Sequence, residues 1–482
     1  MKKIHYITVI FLVFLTITAM LTACEKESTL TVQPTSPSSS SDFQPENRMV
    51  TERLILQNYI TASPSLVISP DGQRTAYLSS YLNDEYIVID GVESKLNHSV
   101  KPNSLVFSPN SQRLVYVTYE GSKYFVVADG IESGPYRYGM LDRGPPNPQF
   151  SPDSQHLVYV ADRNRVILDG VEEKHNYEIN EIVSAPVFSP DSQRLAYAAR
   201  TASTRSVSVN EDHVVVEGES SGVRLVVDGI EGKRYDWIEP DSILFSSDSQ
   251  RIAFVIGKGN GKCVVADGME GEEYFAVKYL VFSPDSRHFA YWGQNVEFSM
   301  AGGAIDQKNF IVVDGVTHST PYSLNAIRGF FFTADSQHIV FYTSFSIFID
   351  GTETKLEEHP TSICHIPPAL SPDGKRLANV TCRRDESMGK LIGCVVVDGK
   401  PGKEYDGGEG HFAIPSVAFS PDSQHVVYPV YENQGKRVFV VVDGVEGRVY
   451  DSISNLVFDS PNQLRYNAQK GDSLYLVEET IK

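Results

Sequence analysis

Residues 218–222, Gly218-Glu219-Ser220-Ser221-Gly222, have the G-x-S-x-G spacing of a nucleophilic serine. That spacing works when the serine caps a sharp strand-to-helix turn and a histidine and an acid are brought to it. Here Arg224 to Val227 reads as a strand, and nothing outside it resembles a domain that would supply the partners, so a loop is the better reading. Gly257-Lys258-Gly259-Asn260-Gly261 is rich enough in glycine for a phosphate loop, but it opens no helix and reads as a tight turn. The commonest carboxylates, Asp71, Asp153, Asp191, Asp248, Asp285, Asp335, Asp373 and Asp422, all stand two residues after a serine or threonine. Such regularity fits turn-making, and calcium-loop spacing is absent. His156, His288, His338 and His425 recur just after that turn, where arginine stands in other copies; they read as one solvated repeat position. Cys263, Cys364, Cys382 and Cys394 follow an early Cys24, and Cys364-His365 has no second pair at zinc spacing. Cys382 ends one strand and Cys394 begins the next, which makes them candidates for a disulfide across that hairpin. No catalytic, cofactor or metal constellation assembles from these residues.

The elements that carry them are repeats. Phe419 to Asp451 reads F-S-P-D-S-Q-H-V-V-Y, a polar gap, then F-V-V-V-D-G-V-E-G-R-V-Y-D. The first phrase recurs with its leading serine, or a substitute, at Ser69, Ser108, Ser151, Ser189, Ser246, Ser283, Thr333, Ser371, Ser420 and, degraded, Asp459. The second ends in Asp-Gly at Asp90, Asp129, Asp169, Asp228, Asp267, Asp314, Asp350, Asp398 and Asp443, and the tenth copy has Val477-Glu478-Glu479 instead. In each unit a short apolar run precedes the S-P-D-S turn, a β-branched and aromatic run follows it, and a continuous apolar strand leads into Asp-Gly. Asp-Gly suits a type I′ hairpin, whose two central residues need positive φ. The unit is therefore four antiparallel strands, a to d. Repetition at about 40 residues predicts an all-β propeller of about ten four-stranded blades.

The phrase S-P-D-[SG]-[QK]-[RH]-[LIV]-[AV]-[YF] resembles the WD40-like repeat of the bacterial TolB propeller, and is similar to the propellers attached to prolyl-oligopeptidase-type peptidases. The resemblance spans about residues 61–470. It implies the fold and leaves function open, because propellers host unrelated roles. The chain departs from TolB in having about ten units rather than six, and a serine-rich tether where TolB has an α/β domain.

Residues 1–23 read as a signal peptide: Lys2 and Lys3, then an apolar run from Ile7 to Met20 that is short for a membrane span. Leu21-Thr22-Ala23-Cys24 resembles a bacterial lipobox, which implies cleavage before Cys24 and its lipidation. Residues 24–50 are rich in serine and proline and read as a tether; 51–482 read as the propeller. Glu25 after the cysteine favours the periplasmic side of the outer membrane. A formal charge of −19 with no basic run argues against nucleic-acid binding.

One large ring is expected, with two smaller tandem propellers as the alternative. The tenth unit has strands a, b and c, and residues 53–60 are the candidate for its missing outer strand. The expected role is a membrane-anchored, non-catalytic binding or scaffold module for an envelope protein or lipoprotein. The alternative is an envelope glycan lyase or hydrolase using the channel. Length variation concentrates in loops between strands b and c: an added hairpin in unit 4 around Glu211, Asp212 and Glu217, and an insertion in unit 6 carrying Phe298 and Met300. Phe298 and Met300 are read as apolar anchors for the partner and the three acids as its rim, since function concentrates in loops on a rigid scaffold.

Overall fold

The structure, a computed structural model, describes residues 45–482 apart from 58–64, 82–83, 97, 102, 138–146, 175–178, 202–205, 211–212, 218–221, 299–303, 323–326, 344–345, 356–365, 386 and 388. Ten antiparallel sheets follow one another along the chain, each ordered a-b-c-d. Blade 9 shows the pattern: strand a at Ala418–Phe419, b at Val426–Glu432, c at Arg437–Val442 and d at Val445–Glu446. Strand c is buried throughout its Val440-Val441-Val442 run because a blade is covered on both faces by its neighbours. Apolar clusters bridge successive blades. Val115, Val117 and Val126 of blade 2 pack on Leu157 and Tyr159 of blade 3, and Val438 and Val440 of blade 9 pack on Ile453 and Tyr466 of blade 10.

The turns behave as their residues dictate. All nine Asp-Gly pairs have both residues at positive φ, as at Asp90 (52°) and Gly91 (80°), so they are type I′ hairpins. In the S-P-D-S turn the serine hydroxyl donates to the aspartate, Ser283 Oγ to Asp285 Oδ1 at 2.5 Å, and accepts the His288 N–H at 2.9 Å. The second serine of the turn takes positive φ and ties the ring together: Ser286 Oγ accepts the Asp248 N–H of the preceding blade at 2.9 Å. The same bond joins six further pairs of successive blades, from Asp71 with Ser111 to Asp373 with Ser423.

The ten blades form one ring, and the two ends of the described chain close it. Arg48–Leu56 pairs antiparallel with Ser473–Ile481 as strand d of blade 10, Arg48 opposite Ile481 and Glu52 opposite Val477. Closure by an N-terminal strand was expected, but its position differs: the strand starts at Arg48 rather than Arg53, so Arg48 to Val50, read as tether, are strand. The reason is a buried anchor. Arg48 and Glu479 are each at most 1% exposed, with Nε and Oε2 2.6 Å apart. Arg48 also donates to the carbonyls of Val440 (2.8 Å) and Val445 (3.2 Å) in blade 9. Beside it, Tyr450 donates to Glu52 at 2.7 Å and Arg448 pairs with Glu52 at 3.0 Å. Blade 10 then meets blade 1, where Arg465 donates to the Pro70 carbonyl at 2.5 Å. Gly72 lies at this seam at φ 69°, and a Cβ there would stand 2.6 Å from Leu476.

Candidate interaction face

Antiparallel order fixes two unlike faces. The a–b and c–d turns share one; the b–c loops and d–a links share the other.

The first face is a repeated clamp. Arg74, Arg113, Arg194, Arg251 and Arg376 follow the a–b turn, and each pairs through Nε with the Asp of its own Asp-Gly turn at 2.8–3.1 Å. Each then reaches into the next blade. Arg251 Nη1 donates to the carbonyls of Ser286 (3.1 Å) and Arg287 (3.0 Å), and its guanidinium lies 5.0 Å from the Phe282 ring centre. At His156, His288, His338 and His425 the imidazole Nδ1 takes over the contact with the Asp-Gly aspartate at 2.6–2.8 Å. At this position the arginines thus bridge to the next blade, while the histidines, solvated as expected, hold the aspartate of their own blade. Blade 10 lacks a c–d turn, and Asp459 supplies the missing carboxylate: it holds Arg465 through two 2.8 Å bonds while Arg465 reaches blade 1.

The turn aspartates are structural as well. Asp285 and Asp422 are held below the usual carboxylate range by the hydroxyls of Ser283 and Ser420 and by backbone N–H groups. The bond from Asp350 raises His338 above an ordinary imidazole. Among the described residues no group of three His, Cys, Asp or Glu is arranged to hold a metal ion.

The second face carries the variation. In blade 4, Ser206–Asn210 and His213–Glu217 pair as a two-stranded sheet of their own, as expected from the inserted sequence. In blade 6 the insertion prolongs strands b and c into Phe289–Phe298 and Ala304–Val313, paired from Ala290 with Val313 to Phe298 with Ala304. Glu217 and Phe298 are thereby placed in these hairpins by backbone pairing. Glu211, Asp212 and Met300 lie outside the described residues, as does Cys24.

Sequence reasoning picked out Phe298 but missed four other aromatic residues of this face. The exposed large aromatics among the described residues are Tyr119 (37%), Trp237 (36%), Phe275 (49%) and Phe412 (42%). All four sit at b–c ends or d–a links. Tyr119 is near the end of strand b of blade 2, and Trp237 pairs with Gly257 at the end of strand b of blade 5. Phe275 N–H donates to Asn295 in the blade 6 hairpin at 3.1 Å, and Phe412 precedes Ala413, whose carbonyl accepts the Tyr431 N–H at 2.7 Å. Trp237 spreads over Gly257, with Lys262 Nζ 5.4 Å from its ring centre, and Lys262 is held by Glu239 at 2.8 Å. The exposed apolar residues after Asp-Gly on the clamp face are aliphatic instead: Val92, Ile131, Val171, Ile230, Met269 and Val316. The available sequence signal was position, since all four aromatics lie at the edges of the strand phrases.

The disulfide expectation needs correction. Cys382 is disulfide-bonded, but Cys394 is a thiol whose Sγ lies 3.5 Å from the Val395 carbonyl and 3.4 Å from that of Gly402. Register decides this. Cys382 pairs with Gly393 and Cys394 with Thr381, and a one-residue offset turns the two side chains to opposite faces of the sheet. The partner of Cys382 lies outside the described residues. Gly259 and Asn260 form the tight turn expected between strands b and c of blade 5, with Lys258 opposite Gly261.

No family model and no curated protein matches the sequence. Solved structures similar to the chain include Porphyromonas gingivalis dipeptidyl peptidase 4, at 11% identity and a TM-score of 0.38 over 85% of this chain and 65% of that one. The tricorn protease is similar at 13% identity and a TM-score of 0.30 over 87% and 52%. An oligogalacturonate lyase in complex with manganese is similar at 11% identity and a TM-score of 0.28 over 91% and 95%. The chain thus spans less than two thirds of the first two, and the fold assignment rests on the ten sheets themselves.

Proposed function

We propose that this chain is a lipid-anchored, non-catalytic binding module of the bacterial cell envelope, which presents its b–c and d–a face to a protein partner. The observation that carries the reading is the placement of all four exposed aromatics, among the described residues, on that one face. Aromatic side chains are enriched at protein interfaces, where they supply large contact area at small entropic cost. The clamp face has these arginines, histidines and aspartates engaged in pairs within each blade, with the arginines bonded on to the next, whereas the opposite face carries a hairpin that joins none of the ten blades. The lipobox-like segment ending at Cys24 and the TolB-like phrase support an envelope location and a partner that is itself an envelope protein or lipoprotein.

The test uses the full chain in envelope fractions, crosslinked and captured. Residues 202–221 are replaced by an Asn-Gly turn between Thr201 and Gly222, which already pair, and 296–307 by a turn between Asn295 and Lys308. A second variant carries Trp237→Ala and Phe275→Ala. Both are expected to melt like the parent and to lose the specific crosslinked partner. Undiminished capture by either folded variant refutes the assignment of the face, and degradation of envelope glycan by the purified head refutes the non-catalytic reading. Cys24→Ser is expected to abolish labelling by a lipid precursor.

A further inference from the structure

Clamp joints built on arginine are bridged; a joint built on histidine spans less. At five junctions the arginine pairs with its own blade's aspartate and also crosses to the next blade, as Arg251 does to Ser286 and Arg287. Between blades 6 and 7 the same position is His288. Its imidazole is held by Asp314 at 2.8 Å and lies 6.3 Å from the Phe332 ring centre. A ring this short cannot hold its own aspartate and also lie along the carbonyls of the next turn. What remains is a cleft of about 570 Å³ that opens beside strand d of blade 6.

We propose that this cleft binds a small ligand with an aromatic body and a positively charged nitrogen. Its walls are Ile311 and Val313 from blade 6 and Phe332, Ile339 and Phe341 from blade 7, with Tyr322 from the link between them. Phe341 is stacked on Phe348 at 4.4 Å with an interplanar angle of 8°, and Tyr322 lies 4.4 Å from Phe348, so the aromatic wall is backed by packing. The volume falls within the usual range for small-molecule sites, roughly 300–1,000 Å³.

Charge selects the ligand. The cleft is lined by the carboxylates of Asp314 and Asp350, its basic lining groups are the imidazoles of His288 and His318, and no lysine or arginine stands among its described lining residues. Asp314 Oδ1 accepts the Phe289 N–H at 2.9 Å and Oδ2 contacts His288; Asp350 Oδ1 accepts the Ile339 N–H at 2.9 Å and Oδ2 contacts His338. A carboxylate has about four acceptor positions, so each can take one more donor. The formal charge of −19 adds a field of the same sign. A cation is attracted, an anion is repelled, and the rings favour a flat body with cation–π contact at its edge.

Tryptamine and indole-3-acetate share a ring and differ in the sign of charge, which makes them the probes. Isothermal titration of the full chain should show saturable one-to-one binding of tryptamine and at least tenfold weaker binding of indole-3-acetate. Two variants should abolish the tryptamine signal while leaving the melting temperature within a few degrees: Ser319→Trp, which plugs the mouth from an exposed position, and His288→Arg, which restores the residue used at five other junctions. Should Ser319→Trp fail to fold, His288→Arg decides alone. Lack of saturation at millimolar tryptamine, equal binding of both probes, or full binding by His288→Arg overturns the proposal.

Discussion

Removal of Arg48 should open the ring where its two ends meet. Arg48→Met keeps the apolar length of the side chain and deletes the charge. Glu479, 1% exposed, then stays buried without Arg48, and the Val440 and Val445 carbonyls each lose the bond from its guanidinium, Val440 keeping the Gly447 N–H. Breaking one side of a buried pair costs about 3–5 kcal/mol. The cost should depend on pH with a definite sign. Burial already raises Glu479 above an ordinary carboxylate, with Arg48 and the Tyr466 hydroxyl opposing the rise. Without Arg48 the folded-state value rises further above the unfolded one, about 4.3. A group raised in this way keeps its contribution below the unfolded value and loses it as pH climbs through the folded one. The penalty of Arg48→Met should therefore be smallest near pH 4, where only the lost carbonyl bonds remain, and grow toward neutrality by at most about 1.4 kcal/mol per pH unit. The double variant Arg48→Met, Glu479→Leu removes the stranded charge and should recover about 2 kcal/mol or more at neutral pH. Urea unfolding followed by both fluorescence and far-UV circular dichroism measures this, coincident curves confirming a single transition. A penalty below about 1 kcal/mol that does not change with pH, or a double variant less stable than the single, refutes the anchor.

Arg251→Ala should cost about 1–2 kcal/mol, because it removes two bonds to the next blade and a half-exposed pair with Asp267; thermal melting checks it. The turn aspartates, held low by serine hydroxyls, stabilise the fold above the unfolded aspartate value of about 3.9 and lose that contribution as pH falls through their lower folded values. Acid unfolding should accordingly begin below pH 4 or so, and Ser283→Ala with Ser420→Ala should move it upward when followed by circular dichroism. Alkylation in denaturant without reductant should mark Cys263 and Cys394 but not Cys382, which should be marked only after reduction; peptide mass mapping reads the result.

Blade number, strand order and turn type were legible in the residues because each is local. Asp-Gly takes positive φ at both positions wherever it occurs, and S-P-D-S closes on itself through a serine and an aspartate two residues apart. The blade 4 hairpin was legible for the same reason: its two β-branched runs lie on either side of residues 210–213. The candidate face was legible only as unequal loop length. Trp237 and Trp292 both sit in strand phrases, yet one is exposed and the other is buried among Phe330 and Phe341 of the next blade. Exposure of a strand residue depends on what the neighbouring blade places against it, and that neighbour is about one repeat away in sequence. The histidine position was legible as solvated, and the imidazoles are 24–48% exposed, but its pairing with the Asp-Gly aspartate of the same blade was not, because the two lie at opposite ends of strands b and c. Cys382 and Cys394 were matched by their places at strand ends, but the face of a side chain follows from register to the single residue, which spacing does not fix. The sequence by itself therefore determined the repeating unit, through turns and strands whose causes lie within one unit. Only the tertiary structure decided how the units are joined and closed, because Arg48 finds Glu479 through the geometry of a completed ring rather than through any local preference.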